Sequence, residues 1–306
     1  MTNITQTPSF PALHFPVKTA AIVCAMCLAL APAFSSSLRA ALVPFTEEFT
    51  GAAVDSSRWT EYKSGSNASL AVADGKLTAA TTSTGSTNRA VIISKSSAIN
   101  PFEQALRFSF SGLSISGNPG TGANAFYALL GNVDSDAAGA NFYPTKGPST
   151  GNGWTSLLIE KKSVDSTDVL QLTVRERTAG VSIIDTTYSL SAMPTIIDWT
   201  IDGTGTGATW SLTLTGATLT GGSLGTTTSS SVSGTFTNFA STHLAAGSWL
   251  ALGCFNNGAV ATGGTSISLD AVGVAAAVPE PAQAVALFGV GALAAAGIVL
   301  RRIRRI

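Results

Sequence analysis

Leu106-Arg107-Phe108-Ser109-Phe110-Ser111, within the stretch from Glu103 to Leu113, alternates apolar and polar residues without a break. A period of two puts Leu106, Phe108 and Phe110 on one face and Arg107 and Ser109 on the other, the pattern of a strand buried on one side. Working outward, Thr195 to Asp202 places Ile197, Trp199 and Ile201 together, and Trp210, Leu212 and Leu214 form the next apolar face. Trp154–Glu160, Val169–Arg177, Val181–Leu190, Val232–Phe239, Trp249–Phe255 and Ser266–Val274 read as further strands. Upstream, Phe45–Gly51, Ser69–Thr78 and Asn88–Ser94 continue the pattern. Asp74-Gly75 lies between two short alternating runs and accepts positive φ at both positions, which predicts a tight hairpin. Gly203-Thr204-Gly205-Thr206-Gly207 has neither the strand-then-helix context nor the Lys of a phosphate loop, so it reads as a turn. No window of the body carries a capped 3.6-residue period, and no repeat of fixed length supports a β-helix. Many short strands joined by Gly, Ser and Thr predict an all-β, two-sheet antiparallel sandwich.

Particular residues narrow that expectation. Glu48-Phe49-Thr50-Gly51, Asp55, Arg58-Trp59 and the Asp74-Gly75-Lys76-Leu77 hairpin resemble the opening of concanavalin A-like, or laminin-G-like, jelly rolls. Ile267-Ser268-Leu269-Asp270-Ala271-Val272-Gly273-Val274 is similar to the closing strand of such domains, which pairs with the first. The resemblance implies a jelly-roll body over residues 41–277.

The two ends read differently. Lys18 is the only charge before an apolar run from Thr19 to Phe34, and Leu38-Arg39-Ala40 offers a cleavage site. A short apolar core broken by Pro32 predicts a secretory signal peptide over 1–40, removed by signal peptidase. At the other end Ala282 to Leu300 is nineteen residues without a formal charge. As a helix it is about 28 Å long, close to the thickness of a bilayer's hydrocarbon. Arg301, Arg302, Arg304 and Arg305 follow and hold that end on the cytoplasmic side. Val278-Pro279-Glu280-Pro281 precedes the span. Pro-Glu-Pro, an apolar span and an arginine cluster in that order resemble the PEP-CTERM sorting signal of Gram-negative bacteria that make extracellular polysaccharide. The resemblance implies that residues 278–306 are a sorting signal processed by an exosortase. It further implies export to the cell envelope, outer surface or extracellular matrix, with a membrane anchor that lasts until processing.

A net charge of zero hides an acidic body. Ala41–Val278 holds 11 Lys+Arg against 16 Asp+Glu, a net −5, and the other basic residues lie in the two sorting segments. Without a basic patch there is no electrostatic footprint for nucleic acid. Cys254 is the one cysteine left after processing, so the mature chain forms no internal disulfide; within an apolar run it reads as a small core residue.

Catalysis finds little support. The jelly-roll resemblance brings in glycanases with Glu-x-Asp-x-Glu on one strand, a spacing that sets two carboxylates on one face, and this chain has no such triplet. Glu103 has no partner two residues on, Glu160 precedes Lys161 and Lys162, and Glu176 between Arg175 and Arg177 reads as an exposed charge ladder. His243, the one histidine of the mature body, reads as a solvated loop residue. A catalytic site is therefore not expected. Asn132, Asp134, Asp136 and Asn141 supply oxygen ligands of the kind calcium takes, which makes a structural calcium the one cofactor to consider. Tyr127, Phe142 and Tyr143 are the candidate sugar platforms, with Tyr62, Trp154 and Tyr188 as further aromatics; any of the six can equally be core, and Trp154, at the start of a strand, reads rather as core. The reading is an exported, non-catalytic carbohydrate-binding or biofilm-associated module whose partner is extracellular polysaccharide. The alternative is a structural surface protein or adhesin without a glycan ligand; a glycan hydrolase or lyase stands third.

Overall fold

The computed structural model describes residues 44–64, 68–81, 89–117, 123–132, 142–257 and 264–277. The expected signal peptide, the Val278–Pro281 motif, the apolar span and Arg301, Arg302, Arg304 and Arg305 lie outside these residues. So do Asp134, Asp136 and Asn141. No helix among the described residues is long and apolar enough to cross a membrane.

In chain order the strands are β1 (Phe45–Glu47), β2 (Trp59–Ser64), β3 (Ala68–Ala73), β4 (Lys76–Thr81), β5 (Arg89–Ser94) and β6 (Leu106–Ser111). Then come β7 (Ser114–Ser116), β8 (Ala123–Asn132), β9 (Gly153–Val164), β10 (Thr167–Thr178), β11 (Ile184–Leu190) and β12 (Ile196–Asp202). The last six are β13 (Thr209–Thr215), β14 (Leu219–Thr220), β15 (Ser231–Thr235), β16 (Trp249–Asn257), β17 (Thr265–Leu269) and β18 (Ala271–Ala276). All ladders between them are antiparallel. A six-stranded sheet runs β1-β18-β6-β12-β13-β15 and an eight-stranded sheet runs β14-β11-β10-β9-β8-β16-β5-β2.

The alternating runs occupy the six-stranded sheet, as their period demands. Leu106, Phe108 and Phe110 are buried with Ile197, Trp199, Ile201, Trp210, Leu212 and Leu214 in one continuous core. Phe108 stands opposite Trp199 in register, their rings 5.5 Å apart. Phe110 meets Phe126 of the eight-stranded sheet edge to face at 5.7 Å, which ties the two layers together.

Two features depart from the expected two-sheet sandwich. A third sheet of four strands, β3-β4-β17-β7, packs on the same core through Val72, Leu77, Ala79, Ile267 and Leu269. And Ile267–Val274 is two strands: β17 lies in the four-stranded sheet, and after Asp270 the chain enters the six-stranded one as β18. Its neighbour changes sheets at the same level, β6 passing into β7 at Gly112. There φ is +64°, and a Cβ would lie 2.0 Å from the Asp270 carboxyl carbon, so both handedness and space call for glycine. β18 does pair with β1, Phe45 opposite Val274 and Glu47 opposite Val272. The Asp74-Gly75 hairpin forms with φ of +54° and +71°, joining β3 to β4.

β8 carries no alternating signature, because it is buried on both faces. Phe126, Ala128 and Leu130 face the sandwich core, while Tyr127 and Leu129 belong to a second apolar cluster on the outer face of the eight-stranded sheet. A strand covered on both sides reads as a continuous apolar run, with no period to mark it.

Candidate functional site

That second cluster is the part of the molecule with the most unusual chemistry. On the outer face of the eight-stranded sheet Val91, Ile93, Ala125, Tyr127, Leu129, Trp154, Leu158, Ala251 and Phe255 form an apolar floor. The segment from Phe142 to Lys146 lies over it, and sheet side chains hold its carbonyls one after another. The Tyr127 hydroxyl donates to the Phe142 carbonyl at 2.8 Å. Arg175 Nη1 donates to Pro144 at 3.1 Å, Arg177 Nη1 to Thr145 at 3.0 Å, and the Trp154 indole N–H to Lys146 at 2.9 Å. The Phe142 ring packs edge-on against Trp249 at 6.1 Å.

This arrangement corrects the aromatic reading. Tyr127 and Phe142 are fully buried, one in the sheet and one in its cover, and offer no face to a ligand. Nothing in the sequence marks β8 as a strand, which is why Tyr127 reads there as a candidate platform. Burial raises its phenol pKa well above the usual value. Trp154 and Tyr188 are buried as well, the latter against Ser223 through its hydroxyl at 3.0 Å. Tyr143 and Tyr62 are half-buried. Between them stands Arg89, its guanidinium 4.0 Å from the Tyr143 ring centroid and 5.8 Å from that of Tyr62. Arg89 is only 9% exposed, and no carboxylate among the described residues pairs with it. Stacking on aromatic faces offsets part of the cost of removing that cation from water.

Arg89 begins a row that crosses the sheet in register. Ser64, Arg89, Phe255, Ala125, Glu160, Gln171 and Ser189 stand side by side on successive strands. Glu160, 4% exposed, is held by Lys162 Nζ at 3.1 Å, and the same ammonium donates to Gln171 Oε1 at 2.9 Å. The other carboxylate of this face, Asp185, accepts Arg175 Nε at 2.6 Å and Nη2 at 2.7 Å as a bidentate pair. Glu160 and Asp185, the acids of this face among the described residues, therefore each already have a cation.

Glu176 is not an exposed ladder residue. Its strand turns it toward the loop after β15, where it is 4% exposed. Oε1 accepts the Thr237 N–H at 2.8 Å, and Oε2 accepts those of Asn238 and Phe239 at 3.3 and 3.2 Å. The next amide, Ala240 N–H, donates to His243 Nδ1 at 3.0 Å. His243 is half-buried on a short 3-10 turn (Ser241–Leu244), its ring tying the loop rather than standing in solvent. Four consecutive amides thus find side-chain acceptors, and the three that meet Glu176 lie some sixty residues from it, which sequence could not reveal. Glu103 accepts a bond from Asn100 Nδ2 at 3.2 Å. Cys254 is buried, and desolvation pushes its thiol up to about 12. Among the described residues no three His, Cys, Asp or Glu side chains gather as a metal site.

The body is thus an all-β antiparallel sandwich whose outer sheet face carries a self-made cover. The tail has a clear relative: residues 277–305 match the PEP-CTERM protein-sorting motif. That motif implies export and a C-terminal, membrane-anchored sorting signal. No curated protein sequence matches the chain. Among solved structures, the endo-1,3-beta-glucanase of Streptomyces sioyaensis is similar at 15% identity and TM-score 0.49, covering 77% of this chain and 96% of its own. A legume lectin-like domain from Entamoeba histolytica is similar at 10% identity and TM-score 0.43, covering 72% and 91%. A pseudo beta-1,3-glucanase of Mycobacterium tuberculosis is similar at 11% identity and TM-score 0.45, covering 76% and 98%.

Proposed function

We propose that this chain is exported, processed at its sorting motif by an exosortase, and retained at the cell envelope or in the extracellular matrix as a non-catalytic module that binds extracellular polysaccharide. The match of residues 277–305 to the sorting motif carries the destination. The ligand reading rests on Tyr62, Arg89 and Tyr143, two half-buried aromatics and the cation stacked between them on the outer sheet face. An aromatic face flanked by a cation suits a sugar ring, which stacks through its C–H bonds while a guanidinium takes its oxygens. The non-catalytic part is supported by Glu160 and Asp185, each engaged by its own cation, since hydrolysis of a glycoside calls for two carboxyl groups facing one bond.

Binding of the processed protein, isolated from its host's envelope, to that host's exopolysaccharide tests this reading. Wild-type protein should be retained on the polysaccharide, and Tyr143→Ala should lose roughly tenfold or more in affinity, as loss of a stacking platform does. The same retention by both proteins would remove Tyr143 from the site. No retention of either would favour the second reading, a structural surface protein without a glycan ligand. That reading has its own support, since the cover from Phe142 to Lys146 occupies much of the face a ligand would use.

A further inference from the structure

Both ends of the described body leave from one end of the six-stranded sheet. β1 starts at Phe45 opposite Val274, so Pro44 lies beside Ala275, and the two residues line one shallow groove. β18 stops at Ala276, and the Ala277 amide still donates to the Ala105 carbonyl at 2.7 Å. Residue 277 is also where the sorting motif begins. The body therefore has no linker before the motif.

At this same end stand the uncharged turn 203–208 and two half-buried rings, Phe102 and Phe236. Gly203 N–H donates to the Pro101 carbonyl at 3.0 Å, and Phe236 N–H to Ala208 at 2.9 Å. Phe102 and Phe236 flank Phe239, with ring centroids 5.4 and 5.5 Å from it. The opposite end of the sandwich carries the β9–β10 hairpin, where Val164 is 49% exposed.

Five chain steps separate Ala277 from Ala282, the first residue of the apolar span, and no backbone conformation stretches them beyond about 18 Å. The headgroup layer alone takes up roughly 5–8 Å of that. A domain of this size is some 40 Å across. So short a tether keeps this end within reach of the bilayer, while the far end of the body stands well away from it.

We propose that, until the tail is removed, this end of the sandwich, with Phe102, the 203–208 turn and Phe236, rests on the lipid headgroups of the outer leaflet. The Val278–Pro281 motif is then presented in the narrow gap between sheet and bilayer, where membrane-embedded processing enzymes work. The turn and the rings carry no charge of their own, and the carboxylates beside them, Asp202 and Glu103, accept hydrogen bonds from Thr204 and Asn100. The inference rests on the tail being a membrane span.

The test uses the full precursor, freed of its signal peptide and reconstituted in phosphatidylcholine–phosphatidylglycerol vesicles that contain a nitroxide-headgroup lipid. Cys254 is buried, so a fluorophore attaches only at an introduced cysteine. Thr206→Cys marks the end proposed to touch lipid, and Val164→Cys marks the far end. Fluorescence at 206 should be lost to the quencher while that at 164 is kept. Inserting about 30 Gly/Ser residues after Ala277, a flexible span of roughly 30 Å, should restore the signal at 206. Equal quenching at both positions in chains that float with the vesicles would overturn the contact. Chains that do not float at all would overturn it differently, by showing that the tail is no membrane span.

Discussion

Glu176 shows how much a single side chain can organise. Its carboxylate accepts from three consecutive amides of a loop, the last of them that of the buried Phe239. Leaving such donors without an acceptor costs about 1–3 kcal/mol each at most, so Glu176→Ala should destabilise the body by about 3 kcal/mol or more in urea unfolding. A change under 0.5 kcal/mol would show that the loop re-forms its bonds with water. Cys254 gives a second residue-scale expectation. Its folded thiol titrates near 12, against 9.0 for an ordinary thiol. Above pH 9.0 the unfolded chain loses this proton while the folded one keeps it, so stability from this group is intact below 9.0 and falls as pH rises toward 12. Replacing Cys254 with Ala should flatten that alkaline decline in a pH series of unfolding curves. The native thiol should also stay inert to maleimide until the chain is denatured.

At the scale of elements, the alternation in β6 makes a sharp comparison. Phe108 is wholly buried opposite Trp199, whereas Arg107 points outward with its side chain 55% exposed and Asp198 at 4.0 Å. Phe108→Ala should cost about 3–5 kcal/mol, and Arg107→Ala well under 1 kcal/mol. Equal losses in chemical denaturation would mean the register is wrong. The cover over the eight-stranded sheet is an element of another kind, a segment without regular structure held by side-chain donors from three strands. Its Lys146 carbonyl depends on Trp154, and Thr145 on Arg177. Combining Trp154→Phe with Arg177→Ala should expose the Lys146 bond to trypsin while global unfolding shifts by only about 1–3 kcal/mol. Resistance equal to wild type would show that the apolar seat of Phe142 alone holds the cover.

On the whole-molecule scale the decisive expectation concerns the tail. Pro279 and Pro281 lack backbone donors, and Glu280 between them offers one carboxylate to a processing enzyme. In a host that encodes an exosortase, the envelope-associated protein should have lost Ala282–Ile306 by mass. Glu280→Ala should leave the membrane-bound precursor. A wild-type protein that keeps its tail would make it a plain anchor.

Much of this was open to a reader of the chain alone. Period-two runs marked β6, β12 and β13 because each has one wet face and one dry one. Asp74-Gly75 marked its hairpin because so few residues accept positive φ. The tail was legible because an uncharged stretch of spanning length, with Pro-Glu-Pro before it and arginines after it, is a local pattern. What stayed hidden was non-local. β8 and the place of Tyr127 in it could not be read, because a strand buried on both faces has no alternation to show. Glu176 reads as a charge among charges until the fold brings to it the 237–239 amides of the loop after β15. The row from Arg89 to Gln171 exists only through the pairing of strands far apart in sequence, as does the meeting of Phe45 with Val274 at one end of the six-stranded sheet. Local chemistry sets period, turn and tail; which distant groups meet is set by sheet register, and that depends on the whole core packing at once.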